Sequence, residues 1–127
     1  MKAIVLTYDK YRRLTDHMIL RYRQLWPDNP FTFRIPFQQL PDTDSAGLEY
    51  IPSPPAIKAT VLTLLQDLDD REWIYWCIDD KYPVHIDVPA MQSVLDWIRD
   101  RDDPAVKPYF EMACGKRPAG LGRLPGE

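Results

Sequence analysis

The stretch Trp73–Lys81 reads WIYWCIDDK, and it decides the fold class. All six residues of its first part, Trp73–Ile78, are apolar or aromatic. Such a run is typical of a β-strand that is covered on both faces. The run therefore predicts an interior strand of a sheet. The residues expected to be largely buried are Tyr75, Trp76 and Cys77.

Two adjacent acids, Asp79 and Asp80, follow this strand directly. In α/β proteins the carboxyl ends of the strands are where ligands bind, so the pair is a candidate functional site. An Asp-Asp pair can also end a strand at a solvated turn without any ligand, and both interpretations stay open. Because neighbouring strand residues point to opposite faces, both carboxylates can reach one ion only if the chain turns at Asp80.

Working outward from this strand, strand and helix patterns alternate along the chain. The predicted elements are strands at Lys2–Tyr8, Phe31–Phe37 and Leu48–Ile51, and helices over Tyr11–Trp26, from Ala56 and from Pro89. This alternation predicts an α/β fold: a three-layer sandwich with a mainly parallel central sheet, Rossmann-like in type. Ser53 is the expected N-cap of the second helix, and Pro36 predicts that the second strand ends near a sheet edge.

The spacing of apolar residues predicts which side of each helix faces the sheet. The three stripes are Leu14, Met18, Tyr22 and Leu25; Ile57, Val61, Leu64, Leu65 and Leu68; and Met91, Val94, Leu95 and Ile98. The aromatic residues of the Trp73 strand are expected to pack in the core rather than to stack on a sugar. On the first helix, Arg12 is expected to face solvent or to pair with Asp16.

Length and composition limit the possible classes of protein. The chain has 127 residues, a net charge of −3 and a pI near 5.3, which argues against a nucleic acid as the main partner. Its two cysteines and two histidines lack the spacing of a disulfide framework or a zinc site. No apolar run is long enough to span a bilayer, so a cytoplasmic protein is expected. We predict one α/β domain over residues 1–114 and a flexible Gly- and Pro-rich tail over 115–127, with the third helix ending at Asp102.

Three segments together resemble a known family. They are TYDKYRRL at Thr7–Leu14, Lys58 at the start of a leucine-rich helix, and IDDKYPV at Ile78–Val84. In this layout, over residues 2–100, the chain is similar to the N-terminal, donor-binding half of a glycosyltransferase of the GT-A fold. The resemblance implies a nucleotide-diphospho-sugar donor, a UDP-sugar in the first instance, and hexosyltransferase chemistry.

The resemblance also implies roles for individual residues. The implied nucleotide-binding residues are Thr7, Tyr8, Asp9, Arg13, Lys58 and Asp79. Asp80 is the implied metal ligand, for Mn²⁺ or Mg²⁺. These roles are chemically coherent, because hard carboxylate oxygens hold such ions and the ion stabilises the charge of the departing diphosphate.

Two features depart from the family pattern. The family has two acids separated by one residue, whereas Asp79 and Asp80 are adjacent, so either one metal-binding acid is lost or Lys81 stands in its place. The chain is also shorter than such an enzyme, so three alternatives stay open: a product of truncation, a separate donor-binding domain, or a half that works only with a partner, as an oligomer or with a missing acceptor-binding half. Catalysis therefore stays open, and the chain is expected to bind a nucleoside diphosphate but to transfer sugar poorly alone.

Alternative functions come from other classes of protein. A regulatory domain such as a phosphate-accepting receiver carries an acidic pair after its first strand, whereas here only Asp9 follows that strand, which disfavours a receiver. A non-catalytic interaction domain, in which the acid pair only ends a strand, stays open. His85 is too isolated to be assigned as a general base, and His17 is expected on a helix surface.

Overall fold

A computed structural model describes residues 1–99 of the chain. Its elements are β1 (Lys2–Leu6), a 3-10 turn (Asp9–Tyr11), α1 (Arg12–Leu25), β2 (Thr32–Phe37), β3 (Leu48–Pro52), α2 (Ile57–Leu65), β4 (Ile74–Ile78) and α3 (Val88–Arg99). The first compact unit is Met1–Ile86, and a second begins at Asp87 and contains α3. The predicted helix end at Asp102 and the tail over 115–127 lie outside the described residues.

The four strands form one all-parallel sheet in the order β3-β2-β1-β4. The predicted α/β class and parallel sheet are confirmed. Within residues 1–99, however, β4 lies at an edge, so the prediction of an interior strand there is wrong. Its residue Trp76 is 47% exposed, whereas Cys77 is buried. The physical reason is that an apolar run reports contacts on the faces of a strand, not the number of strands hydrogen-bonded beside it.

Helices α1 and α2 cover opposite faces of the sheet. Phe33 and Tyr75 pair with the same residue of β1 and therefore share a face. On that face Tyr22 of α1 contacts both rings, at centroid distances of 5.6 and 6.1 Å. The next residue of β2, Arg34, points to the other face and donates to the carbonyl of Leu64 in α2 at 2.7 Å. These contacts give helix, sheet and helix layers within the first unit.

The buried side of α1 differs in part from the predicted stripe. Met18 and Tyr22 are buried as predicted, but Leu14 is 40% exposed. The stripe that the helix buries is Thr15, Met18, Ile19 and Tyr22. Thr15 is thus buried where Leu14 was expected to be, and its hydroxyl has a partner just after β1, the hydroxyl of Thr7.

The face covered by α2 contains a buried cation that the sequence did not indicate. Arg34 donates to both carboxylate oxygens of Asp67 at 2.6 Å and to Glu49 at 2.9 Å. Glu49 also pairs with Lys2. Hydrogen bonding from Lys2 and then from Arg34 lowers the pKa of Glu49, and the Arg34 hydrogen bond lowers that of Asp67 to about 2. The buried charge of Arg34 is therefore fully paired.

The start of α2 also differs from the prediction. Ala56, not Ser53, occupies the N-cap position, and no side chain caps this helix. Ile57, the first residue of the predicted stripe, is 52% exposed, whereas Leu64 is fully buried. Ser53 lies too early because two prolines follow it, and the extended segment that contains them delays the helix.

Pro36 lies in an interior strand, contrary to the predicted position near an edge. The last β1–β2 pair is Ile4 with Arg34, and β1 lies on the side of β2 to which Thr32 donates its N–H. Since alternate residues of a strand point their N–H groups to the same side, the nitrogen of Pro36 also faces β1, but past the last pair. The missing donor therefore costs no ladder hydrogen bond, and β1 and β2 separate at this point.

The second unit contributes α3 to the described residues. Val94, Leu95 and Ile98 of this helix are buried, which agrees with its predicted stripe. Among the described helices, none has the length and apolar character needed to cross a membrane.

Candidate functional site

The carboxyl ends of β1 and β4 meet through a side-chain hydrogen bond. Thr7 follows β1, and its hydroxyl donates to Oδ2 of Asp79 at 2.8 Å. Both residues are buried, with 3% and 8% of their surface exposed. Because β1 and β4 are parallel neighbours, their carboxyl ends lie side by side. Two candidate site residues are thus brought together.

Asp79 presents one carboxylate oxygen outward. Oδ2 accepts the Thr7 hydrogen bond. No buried side-chain oxygen or nitrogen of the described residues lacks a partner, and Oδ1 has none in that part of the chain. Oδ1 therefore keeps at least a small contact with solvent. It is free to accept a hydrogen bond from a ligand.

Asp80 is placed differently from Asp79. The chain turns here, with the N–H of Lys81 bonded to the carbonyl of Ile78 at 3.0 Å. Asp80 is exposed, and its carboxylate has no hydrogen bond or ion pair with residues 1–99. The turn that a shared ligand requires is present, and the two adjacent acids differ: one is buried and anchored, the other is exposed.

Asp9, a candidate nucleotide ligand, is engaged with the loop after β2. Its carboxylate accepts the backbone N–H groups of Gln38 at 3.0 Å, Gln39 at 2.6 Å and Leu40 at 3.0 Å. In return the side chain of Gln38 accepts the N–H of Asp9 at 3.0 Å. Burial raises the pKa of Asp9, but the three amides outweigh it and the net pKa is lowered. This carboxylate therefore anchors the loop across the gap between β1 and β2.

Arg12 stabilises the same loop instead of facing solvent, and its charge also acts on Asp16, the partner expected from the sequence. Its guanidinium donates to the carbonyl of Leu40 at 2.8 Å and lies 5.1 Å from the ring centroid of Tyr50. Only 15% of its side chain is exposed. The loop is consequently held by a carboxylate and by a guanidinium, which lie one turn apart at the start of α1 and 3.9 Å from each other.

The remaining candidates lie on segments that leave the carboxyl edge. The carbonyl of Tyr8 accepts the N–H of Tyr11 at 2.8 Å, which forms the turn before α1. Arg13 and Lys58 are exposed in the first turns of α1 and α2. Within the described part of the chain, neither cation forms a hydrogen bond or ion pair. Their charges are available to an anionic ligand, but no contact joins them to Asp79.

The sequence did not indicate the role of Thr15. Its hydroxyl lies 2.8 Å from that of Thr7, and the residue is fully buried. One signal was present: Thr15 shares the helical spacing of Met18, Ile19 and Tyr22, so it is a polar residue on an apolar stripe. Such a hydroxyl requires a partner, which here is the end of β1.

The segment after Asp80 is fixed on α1. His17 meets the ring of Tyr82 edge-on at 4.7 Å, and Arg21 donates to the carbonyl of Pro83 at 3.4 Å. His17 is exposed on the helix, as predicted. These contacts hold Tyr82 and Pro83 against α1, directly after the acid pair.

Cys77, directly below the site, is not a nucleophile. Burial raises the pKa of its thiol to about 12. Because the thiolate is the reactive form, the thiol is inert near neutral pH. Its neighbours on the same face, Tyr22 and Tyr75, share a hydroxyl contact of 3.0 Å and belong to the core.

Comparisons of the chain with protein-family models, with characterised proteins and with solved structures found no match. The fold of residues 1–99 defines the class: an α/β protein whose four strands in that range form one all-parallel sheet. Its candidate site lies at the carboxyl edge, where β1 and β4 are neighbours.

Proposed function

We propose that the carboxyl edge of the sheet at β1 and β4 binds the nucleoside diphosphate of a sugar donor together with a divalent cation. The hexosyl group of such a donor is what a glycosyltransferase transfers. The observation that supports this proposal best is the Thr7–Asp79 contact at 2.8 Å. It lies between two adjacent parallel strands, just beyond their carboxyl ends, which is where open α/β sheets bind ligands.

The donor set fits a cation that arrives with its substrate. Among residues 1–99 no group of three or more His, Cys, Asp or Glu side chains is close enough to hold a metal ion. A complete protein metal centre is thus not available there. Mg²⁺ commonly uses one or two carboxylates and takes its other ligands from water and substrate phosphates. Asp80, which is exposed and has no side-chain partner among residues 1–99, suits that role, and weak metal binding without nucleotide is expected.

Asp79 and the exposed cations complete the proposed site. The outward Oδ1 of Asp79 would accept a hydrogen bond from a ribose hydroxyl. Arg13 and Lys58, exposed in first helical turns, carry positive charge that suits diphosphate oxygens. The cation, when bound, would neutralise charge that develops on the departing diphosphate.

Two substitutions test the assignment of the acids. UDP binding is measured by calorimetry with Mg²⁺, with Mn²⁺ and with chelator. Asp80→Asn should remove the metal dependence of binding, whereas Asp79→Asn should weaken binding and leave the metal dependence in place. Asp28→Asn is the matched control, since Asp28 is exposed beyond α1. If both site variants bind UDP like the control variant, with the same metal dependence, the proposal is wrong.

A further inference from the structure

Three side chains from three elements form a buried line of hydrogen bonds. Thr15 of α1 and Thr7 after β1 are 2.8 Å apart at their hydroxyl oxygens. Thr7 is in turn 2.8 Å from Oδ2 of Asp79, after β4. The exposed fractions are 0% for Thr15, 3% for Thr7 and 8% for Asp79. The line thus runs from inside the helix layer to the carboxyl edge.

The chemistry of the three groups fixes the direction of this line. An ionised carboxylate only accepts, so the single hydroxyl hydrogen of Thr7 is used on Asp79. In the contact between the two hydroxyls, Thr15 must then be the donor and Thr7 the acceptor. The alternative acceptor for Thr15, the carbonyl of Tyr11, is farther away at 3.4 Å. The direction is therefore Thr15 to Thr7 to Asp79, and each bond polarises the next.

We propose that Thr15 is a positioning residue for the ligand-binding carboxylate of Asp79. It fixes the rotamer of Thr7, which holds Oδ2 and so keeps Oδ1 directed outward. The ligand belongs to the class of compounds that carry a hydroxyl able to donate to Oδ1, and a nucleoside diphosphate carries such hydroxyls on its ribose. This inference rests on the proposed function for its ligand. The orientation of Asp79 itself does not depend on which ligand binds.

Two substitutions separate positioning from packing. Thr15→Val keeps the branched shape and removes the hydroxyl, whereas Thr15→Ser keeps the hydroxyl and removes the methyl group. If Thr15 only fills space, the serine variant is the more damaging of the two. If it positions Asp79, the valine variant is the more damaging, and serine restores function. Thr63→Val is the matched control, because Thr63 is also a helical threonine whose hydroxyl donates to a backbone carbonyl at 2.8 Å.

The experiment has one readout with ligand and one without. With UDP and Mg²⁺, we expect Thr15→Val to weaken binding by about 3- to 10-fold, the effect of losing one hydrogen bond. Thr15→Ser should stay within about 2-fold of the parent protein. Without ligand, three-bond NMR couplings report the χ1 rotamer of Asp79. We expect one rotamer in the parent, serine and control proteins, and averaged couplings in the valine variant.

The outcomes distinguish the two proposals. Unchanged Asp79 couplings in Thr15→Val overturn the positioning role, whatever the protein binds. A loss of affinity in the serine variant that equals or exceeds the loss in the valine variant overturns it as well, in favour of packing. If the couplings average in Thr15→Val but the parent protein does not bind UDP, the proposed function and the ribose assignment are wrong, while the positioning of Asp79 by Thr15 is supported.

Discussion

Replacing Asp9 by Asn tests whether this carboxylate holds the loop after β2. The carboxylate accepts the N–H groups of Gln38 at 3.0 Å, Gln39 at 2.6 Å and Leu40 at 3.0 Å. Asparagine has the same size but presents an NH₂ group in place of one oxygen. At least one backbone N–H therefore faces another donor, and the other bonds lose their charged acceptor.

The structure sets the expected size of the effect. A hydrogen bond to a charged group contributes about 1.5–3 kcal/mol when it is well protected. The side chain of Asp9 is 17% exposed, but Gln39 and Leu40 are themselves exposed, so their amides regain water when the acceptor is lost. The bonds are therefore not additive at full value. We expect Asp9→Asn to lower the free energy of unfolding by about 1.5–3 kcal/mol in all.

The effect should depend on pH in a defined direction. The amide hydrogen bonds outweigh burial and lower the pKa of Asp9 in the folded state. A lowered acid pKa stabilises the fold above the unfolded value, which is about 3.9, and this contribution fades as pH falls through the folded value. The difference between parent and Asp9→Asn should thus be full near neutral pH and shrink in strong acid.

Urea unfolding at several pH values measures this difference, and hydrogen exchange measures the loop directly. The control Asp28→Asn makes the same chemical change at an exposed position and should alter stability by less than about 0.5 kcal/mol. The amides of Gln39 and Leu40 should exchange faster in Asp9→Asn only. If Asp9→Asn unfolds like the control while it loses UDP affinity, Asp9 is a ligand and its loop-holding role is refuted.

Two further predictions concern the core. Arg34→Met should lower the free energy of unfolding by about 2–3 kcal/mol, which is less than the ~3–5 kcal/mol lost when a fully buried ion pair is broken, because the carboxylate partners of Arg34 stay partly hydrated. Urea unfolding measures this effect, with Arg13→Met at an exposed position as the control. Equal stability of the two variants would contradict the prediction. Burial raises the pKa of the Cys77 thiol to about 12, so Cys77 should resist iodoacetamide near neutral pH in the folded protein and react in concentrated urea. Peptide mass spectrometry measures the alkylation, and fast alkylation of the folded protein would disprove the inertness of this thiol.

The elements of the fold could be predicted from local patterns, but the strand order could not. Continuous apolar runs mark β1 and β4 as strands, and the alternation with helical stripes predicts the parallel sheet. The position of β4 depends on the path of the chain between β3 and β4, which crosses the sheet. No local pattern encodes that path. The aromatic and apolar content of β4 therefore predicted correctly that this segment is a strand. It predicted an interior position, whereas β4 lies at an edge of the sheet in residues 1–99.

The candidate site could be predicted only where it depends on strand ends. Thr7 and Asp79 are 72 positions apart, yet parallel strands that end together bring them into contact. Thr15 and Asp9 were harder to interpret, for physical reasons. A threonine on an apolar stripe shows its role only when its partner is known, and the partners of Asp9 are backbone N–H groups, which leave no mark in the sequence.

The two sides of Thr7 differ in how the end of β1 is joined to its neighbours. On the β4 side, the pairing of β1 with β4 continues to Leu6 and Ile78, and the next residues, Thr7 and Asp79, are joined by their side-chain hydrogen bond. Towards β2, pairing ends at Ile4 and Arg34, and the strands separate. On that side the hydrogen bonds between Asp9 and Gln38 join the segment after β1 to the loop after β2. In the proposed site, Asp9 would therefore act through the loop that it holds, whereas Asp79 would act by direct contact with the ligand.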